Sequence, residues 1–185
     1  LNTEGGKMSK SKGEFLTVSL LEEKGYNPLI YRFFCLQSHY RKSLAFSFEN
    51  LDNAKVAYTK IIQRIVPLLS ADDTVDENAF DEIRKSFDEA LANDLNTSLA
   101  ITALLDVFKA NTSNATKLAL IKDYDRVLSL GLIAEAEKMA EAEKGEELPE
   151  EVAKLVEERA NARKEKNFAL ADELRDKISE MGYII

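Results

Sequence analysis

The stretch NLDNAKVAYTKIIQRIVPLL, residues 50–69, indicates most clearly which fold this chain adopts. Apolar side chains recur along it at intervals of three and four residues, which is the period of one face of an α-helix. These positions are Leu51, Ala54, Tyr58, Ile61, Ile62, Ile65, Val66 and Leu69. Ser47 or Asn50 can cap the start, and Pro67 predicts either a late kink or an earlier end. The stretch therefore predicts one long amphipathic helix.

Three further amphipathic segments follow before residue 134 and carry the same period. Residues able to cap helices mark their limits. The second helix starts at Asp76 or Asn78, and the third starts at Thr97 and reaches about Ala110. The fourth starts at Ser113 and ends with Gly131 as its left-handed C-terminal residue. Because the connections are short, neighbouring helices must reverse direction. Residues 46–134 are therefore predicted to form an antiparallel four-helix bundle.

The chain changes character after the bundle. Residues 135–149 are rich in glutamate and poor in large apolar side chains, which predicts an acidic linker or an exposed helix end, and a domain boundary. Pro149 then favours the start of a fifth helix, and Asn167 starts a sixth that ends near Gly182. Residues 150–185 are predicted to be a helical hairpin. The fold class expected from the sequence is all-α.

Charge is distributed unevenly along the 185 residues. The formal net charge is −8, which argues against a protein that binds polyanions over its whole surface. Residues 1–42, however, contain seven Lys or Arg and four Asp or Glu, a net charge of +3 against −11 for the rest. If the chain binds nucleic acid, we expect it to do so through local basic patches.

The cysteine and histidine contents exclude several classes of protein. Cys35 is the only cysteine and His39 the only histidine, so neither a disulfide framework nor a metal site can be built from them alone. A reducing compartment and a cytoplasmic location are expected. No apolar run approaches the ~20 residues of a membrane helix, so no membrane partner is predicted. Because the chain starts at Leu1 without a methionine, we expect a piece of a larger protein.

The segment GGKMSKSKGE, residues 5–14, has chemistry suited to phosphate groups. Its glycines allow close backbone approach, its serines donate hydrogen bonds, and its lysines are flexible point charges. Such a loop can close over a polyphosphate and stabilise developing charge at an attacked phosphorus. A solvated tail has the same composition, so the residues alone leave both interpretations open.

Three segments in the same order resemble one family. KMSKS, residues 7–11, is the signature loop of class I aminoacyl-tRNA synthetases. The run RFFCLQSHYRKSLAFSFENLDNAK, starting at Arg32, resembles cysteinyl-tRNA synthetases just after their catalytic fold. The tail EERANARKEKNFALADELRDKISEMGYII, starting at Glu157, resembles their C-terminal segment. The chain is therefore identified as similar to the region of that family from the KMSKS loop to the anticodon-binding region.

The resemblance implies a ligase that activates L-cysteine with ATP and Mg²⁺ to a cysteinyl-adenylate and then esterifies tRNA(Cys). By the same analogy Lys10 contacts the ATP phosphates and stabilises the transition state, which makes it the catalytic residue. Lys7 supports the same charge, Met8 lies by the adenine, and Ser9 and Ser11 shape the loop. Together these five residues are the ATP-binding residues expected in this chain.

Two further features of the family have no counterpart in this sequence. The HIGH motif on the other side of the ATP is absent, since His39 stands in SHYR. The family's zinc ion needs ligands from the catalytic domain, so no metal-binding residue is predicted here, and Cys35 is expected to be a small core residue. His39 is expected to be structural or to face tRNA. We expect the chain by itself to be inactive.

Two regions are predicted to contact tRNA. In the family, residues equivalent to 1–45 include a stem-contact segment, where Arg41 and Lys42 would bind phosphates and Tyr40 would stack or bind a ribose. The C-terminal hairpin would read the anticodon through two pairs at helical spacing. These are Arg159 with Arg163, and Asp172 with Arg175. The alternative is that such charges are ordinary helix-surface groups, and that Asp172 and Arg175 form an ion pair that fixes the hairpin.

Two other functions remain open at the level of sequence. One is a cysteine ligase of the mycothiol pathway, which shares the signature loop but has no need of an anticodon reader. The other is a stand-alone helical RNA-binding module, in which residues 7–12 are only a basic tail. A synthetase that acts as a monomer is the function favoured by the helical bundle and the C-terminal tail.

Overall fold

The computed structural model describes residues 2–3, 6–7, 17–145, 150–164 and 167–181. Within these ranges the chain is mainly helical, which confirms the all-α class. The helices are α1 (Val18–Glu23), α2 (Pro28–Leu36), α3 (Phe48–Ile65), α4 (Glu77–Ala92), α5 (Thr97–Val107), α6 (Asn114–Leu128), α7 (Leu132–Gly145), α8 (Glu150–Lys164) and α9 (Phe168–Glu180). No helix in the described part is both long and apolar enough to cross a membrane. The chain divides into two compact units, Leu1–Ala140 and Glu141–Ile185.

A small sheet that was not predicted lies in the first unit. It has three strands of two residues each, β1 (Asn2–Thr3), β2 (Gly6–Lys7) and β3 (Ala45–Phe46). Strand β1 lies in the middle, antiparallel to β2 and parallel to β3. The sheet thus places Asn2–Thr3 between Gly6–Lys7, where the KMSKS loop begins, and the residues that lead into α3.

Helix α2 fills the region where the sequence predicted only an apolar stem-contact segment. Asn27 caps it by accepting a hydrogen bond from the Leu29 amide at 2.9 Å, and Pro28 supplies the first helical residue. Phe33 is 1% exposed, and its ring lies 5.9 Å from that of Tyr58 on α3. The aromatic side chains of YRFFCL therefore join α2 to the core of the bundle.

Helix α3 confirms the prediction made from residues 50–69. Ser47 is its N-cap and accepts a hydrogen bond from the Asn50 amide at 3.1 Å. The helix ends at Ile65, and a 3-10 helix, Val66–Ser70, contains Pro67. Since proline has no amide hydrogen and its ring clashes with the preceding turn, the earlier of the two predicted ends is observed.

Helices α4, α5 and α6 agree with the predictions except at three boundaries, whereas α1 was not predicted. Asp76 and Ser113 cap α4 and α6 as expected. The cap of α5 is Asn96, however, because its side-chain oxygen accepts from the Leu99 amide at 3.2 Å, and Thr97 is already the first helical residue. The helix also ends at Val107, short of Ala110. The left-handed cap of α6 is Ser129, whereas Gly131 lies two residues further on.

An aromatic stack joins α4 to α6. The rings of Phe87 and Tyr124 are nearly parallel, with centroids 4.0 Å apart, and the Tyr124 hydroxyl donates to the Ile83 carbonyl at 3.3 Å. Burial, and then the charges of Asp88 and Asp123, raises the pKa of Tyr124 to about 12. The folded bundle therefore stabilises the neutral phenol.

Residues 128–132 form the tight connection from α6 to α7. Asp125 holds it by accepting from the amides of Leu130 at 2.7 Å and Leu132 at 2.8 Å. Tyr58 donates to the Leu130 carbonyl at 2.7 Å, and Arg32 donates to the Leu128 carbonyl at 2.6 Å. Side chains from three helices therefore satisfy the backbone groups of this turn.

Helix α7 begins at Leu132 and includes residues 135–145, where an acidic linker or an exposed helix end was predicted. Alanine, glutamate and lysine dominate this stretch, and all three favour helix even without a large apolar face. Residues 146–149, including Pro149, lie outside the described residues.

The second unit contains α8 and α9, which pack together as the predicted hairpin. Asn167 caps α9 as expected, and Gly182 lies outside the described residues. The buried side chains of the hairpin are Val152, Ala162, Ala171, Leu174 and Ile178.

Candidate nucleic-acid interface

The signature segment is described only in part. The backbone of Lys7 belongs to β2, where it pairs with Asn2. Met8, Ser9, Lys10 and Ser11 lie outside the described residues, so their predicted contacts with ATP stay predictions.

The predicted stem-contact residues Tyr40 and Arg41 converge on one carboxylate, that of Asp94. Arg41 Nε lies 2.7 Å from Asp94 Oδ2, and Nη2 donates to Oδ1 at 3.1 Å. The Tyr40 hydroxyl donates to Oδ1 at 2.7 Å and accepts from Arg41 Nε at 3.0 Å. Lys42 is exposed, and its amide closes a turn onto the His39 carbonyl. Of the three residues predicted to contact tRNA, Tyr40 and Arg41 are therefore held by Asp94, which lies on another segment.

His39 completes this arrangement, which we call the Asp94 cluster (His39, Tyr40, Arg41 and Asp94). Its ring stacks on that of Tyr40 with centroids 4.8 Å apart. Nδ1 accepts from the Arg41 amide at 3.2 Å, and Nε2 lies 3.7 Å from Asp94 Oδ2. These contacts give His39 the structural role that was one of its two predicted roles.

Asp94 lies in an unusual turn between α4 and α5. Asp94 and Leu95 have φ angles of 54° and 52°, a left-handed conformation that aspartate tolerates but that is costly for leucine. Backbone hydrogen bonds hold them, from the Leu95 amide to the Leu91 carbonyl and from the Asn96 amide to the Ala90 carbonyl. Asp94 was missed as a functional residue because only the fold brings it to Arg41; its sole signal in the sequence is an Asn-Asp pair between two helices.

A cavity of about 460 Å³ opens beside the Asp94 cluster. Its lining includes Cys35, Leu36, Leu44 and Leu95, with Lys42 among its polar residues. Cys35 is half-buried against the core, and burial raises the pKa of its thiol. This environment favours the neutral thiol, so Cys35 acts as a packing residue rather than a nucleophile.

The two predicted anticodon-facing arginines both lie on α8, four residues apart. Arg163 is exposed, whereas Arg159 is half-buried. Arg159 Nε is buried without a hydrogen-bond partner. A buried guanidinium donor left unpaired is costly in free energy.

The second predicted pair forms an ion pair on α9. Arg175 Nη1 lies 3.3 Å from Asp172 Oδ1, and its Nη2 lies 3.2 Å from Asp176 Oδ1. All three side chains are about half exposed or more, so these pairs contribute little to stability. This is the ion-pair arrangement that the sequence left open, and contact of Asp172 and Arg175 with tRNA stays a prediction.

No metal site can be assigned in the described part of the chain. Within it, no group of three or more His, Cys, Asp or Glu side chains is placed to hold an ion. The zinc ion implied by the resemblance therefore has no ligand set among these residues.

Comparison with known proteins identifies the class of the second unit first. Residues 145–185 match the family described as the cysteinyl-tRNA ligase anticodon binding domain. The match covers α8 and α9, the hairpin on which Arg159 and Arg163 lie.

Similarity to complete proteins extends along nearly the whole chain. A cysteine–tRNA ligase from Novosphingobium aromaticivorans is 39% identical over 96% of this chain and 37% of its own length. One from Borrelia garinii subsp. bavariensis is 38% identical over 97% of the chain and 40% of its own length. One from Caldicellulosiruptor saccharolyticus is 36% identical over 100% of the chain and 42% of its own length. The chain is similar to cysteine–tRNA ligases along nearly its whole length and spans about two fifths of the length of these relatives, in their C-terminal part.

Proposed function

We propose that this chain is the tRNA-binding part of a protein that attaches L-cysteine to tRNA(Cys) through a cysteinyl-adenylate. The match of residues 145–185 to an anticodon-binding domain is the observation that carries the proposal. A reader of the anticodon is of use to a tRNA ligase and not to a ligase that acts on a small amino sugar. The match therefore favours the tRNA ligase over the mycothiol-pathway enzyme.

The signature segment would serve the first step of this reaction. ATP enters with Mg²⁺, and cysteine displaces pyrophosphate from it, so negative charge is redistributed over the phosphates. Lys10 would stabilise that charge, with support from Lys7, while Met8, Ser9 and Ser11 shape the nucleotide site. These lysines act as electrostatic groups and do not need to transfer a proton.

The two contact regions would serve the second step by holding tRNA(Cys). Arg159 and Arg163 on α8 offer guanidinium groups to the unpaired bases or phosphates of the anticodon loop. Tyr40, Arg41 and Lys42 would bind the sugar–phosphate backbone elsewhere on the tRNA. We further propose that the protein acts as a monomer in the cytoplasm, where tRNA is charged.

Two variants of the complete protein separate these roles. Lys10→Ala should lower the rate of cysteine-dependent pyrophosphate exchange about 30- to 1,000-fold, which corresponds to loss of roughly 2–4 kcal/mol of transition-state stabilisation. The double substitution Arg159→Ala/Arg163→Ala should leave exchange near wild type and lower kcat/KM for charging of tRNA(Cys).

Lys109→Ala is the matched control, because Lys109 is an exposed basic residue paired with Asp106 and lies outside both predicted contact regions. It should change neither rate. An exchange rate unchanged by Lys10→Ala would contradict the role of Lys10, and unchanged charging by the double variant would contradict the role of the hairpin.

A further inference from the structure

The Asp94 cluster and the neighbouring Leu95 combine two features, a left-handed backbone and large exposed side chains. Asp94 and Leu95 both adopt the left-handed conformation, although neither is glycine. Leu95 and Tyr40 are each 62% exposed and line the same cavity. Backbone strain and exposed apolar groups retained at one place are typical of a functional surface.

The carboxylate of Asp94 fixes the guanidinium group of Arg41 along one edge. The contacts described for Arg41 use Nε and Nη2. Since a guanidinium group has five N–H donors, those on Nη1 are left for a ligand. Arg41 is also 67% exposed at its side chain, so a ligand can reach it from solvent.

We propose that Asp94 is a positioning residue, which holds Arg41 and Tyr40 in the orientation that binds the phosphate backbone of the tRNA. An unrestrained arginine loses rotamer freedom when it binds a phosphate, whereas one already held by a carboxylate loses less. The inference rests on the proposed function, in which Tyr40, Arg41 and Lys42 contact tRNA.

Simple electrostatics predicts that Asp94 weakens tRNA binding, which is the opposite of the effect proposed. A carboxylate beside an RNA surface repels phosphate and partly neutralises Arg41, so its removal should strengthen tRNA binding. If Asp94 instead positions Arg41, its removal should weaken binding. The sign of the change in Kd therefore distinguishes the two.

The test measures Kd of the complete protein for tRNA(Cys) over a range of KCl concentrations. Asp94→Gly is the main variant, because glycine accepts the positive φ of this turn and removes only the side chain. Its Kd should rise about 2- to 10-fold, the effect of freeing one ordered side chain. The slope of log Kd against log[KCl] should fall by the amount expected for the loss of about one phosphate contact, and Arg41→Ala should lower it in the same way. The double variant Arg41→Ala/Asp94→Gly should bind no more weakly than Arg41→Ala.

The outcomes separate this inference from the proposed function. If Arg41→Ala and Lys42→Ala both bind tRNA as the wild type does, the proposed contact surface is wrong, and the role of Asp94 with it. If Arg41→Ala binds weakly but Asp94→Gly binds as tightly as the wild type or more so, only the positioning role is wrong. Asp106→Ala, which removes an exposed carboxylate paired with Lys109, is the control and should change nothing.

Discussion

The turn of residues 128–132 gives the sharpest test of how the first unit is stabilised. Asp125→Ala removes the acceptor for the amides of Leu130 and Leu132, two residues that are 0% exposed. Each amide left without a partner costs about 1–3 kcal/mol, so the free energy of unfolding should fall by about 2–6 kcal/mol. Asp125→Asn keeps one acceptor oxygen and should lose about half as much.

Urea unfolding followed by near-UV circular dichroism measures this loss, because five of the six tyrosines lie in the first unit. With a slope of about 2 kcal/mol/M, the midpoint for Asp125→Ala should fall by about 1–3 M. Asp106→Ala is the control: its exposed pair with Lys109 should contribute less than about 1 kcal/mol. A midpoint for Asp125→Ala as close to wild type as that of the control would refute the assigned role of the turn.

Three other predictions concern stability. Gly131→Ala should destabilise the chain more than Gly25→Ala in the same urea assay. Both glycines have positive φ, but of the two only Gly131 would place the new Cβ 3.0 Å from a side-chain atom, that of Leu29. Equal losses of stability in the two variants would contradict this. Between pH 10 and about 12 the folded chain keeps the proton on Tyr124 that the unfolded chain releases, so the free energy of unfolding should fall with rising pH, and less steeply in Tyr124→Phe. Leu174→Ala opens a cavity at a residue 4% exposed and should cost the hairpin about 2–5 kcal/mol, measured by thermal unfolding of its helical signal.

Helices with a strong apolar period could be predicted from the sequence, and α3 is the clearest case. Its start at Ser47 and its end before Pro67 follow from local chemistry, namely a side-chain cap and a missing amide hydrogen. Helix α2 could not be assigned in the same way. Its buried residues, Ile30, Phe33 and Phe34, are also spaced at three and four, but the helix has only nine residues and most of them are apolar, so the period stands out poorly.

Boundaries set by competing caps were harder to predict. Asn96 and Thr97 are both good capping residues, and the choice between them depends on the left-handed residues Asp94 and Leu95, which only the packed structure fixes. Similarly, Ser129 rather than Gly131 ends α6 because Asp125 holds the following amides. Local propensity predicts that a helix ends in such a place, and tertiary contacts select the residue.

The types of residue at the candidate site could be predicted from the sequence, but the partners of their side chains could not. The spacing of Arg159 and Arg163 placed both on one helix, and α8 contains both. The sequence could not reveal that Asp94, more than 50 residues from Arg41, supplies its carboxylate, or that Arg159 Nε is buried without a partner. Both facts depend on side-chain geometry brought about by the fold.

The most direct test of the central claim compares binding of two tRNAs to the complete protein. One is tRNA(Cys), and the other is the same tRNA with an altered anticodon. If Arg159 and Arg163 read the anticodon, the change should raise Kd about 5- to 150-fold, which corresponds to about 1–3 kcal/mol, and Arg159→Ala/Arg163→Ala should remove most of that difference. Equal Kd values for the two tRNAs with the wild-type protein would contradict the claim.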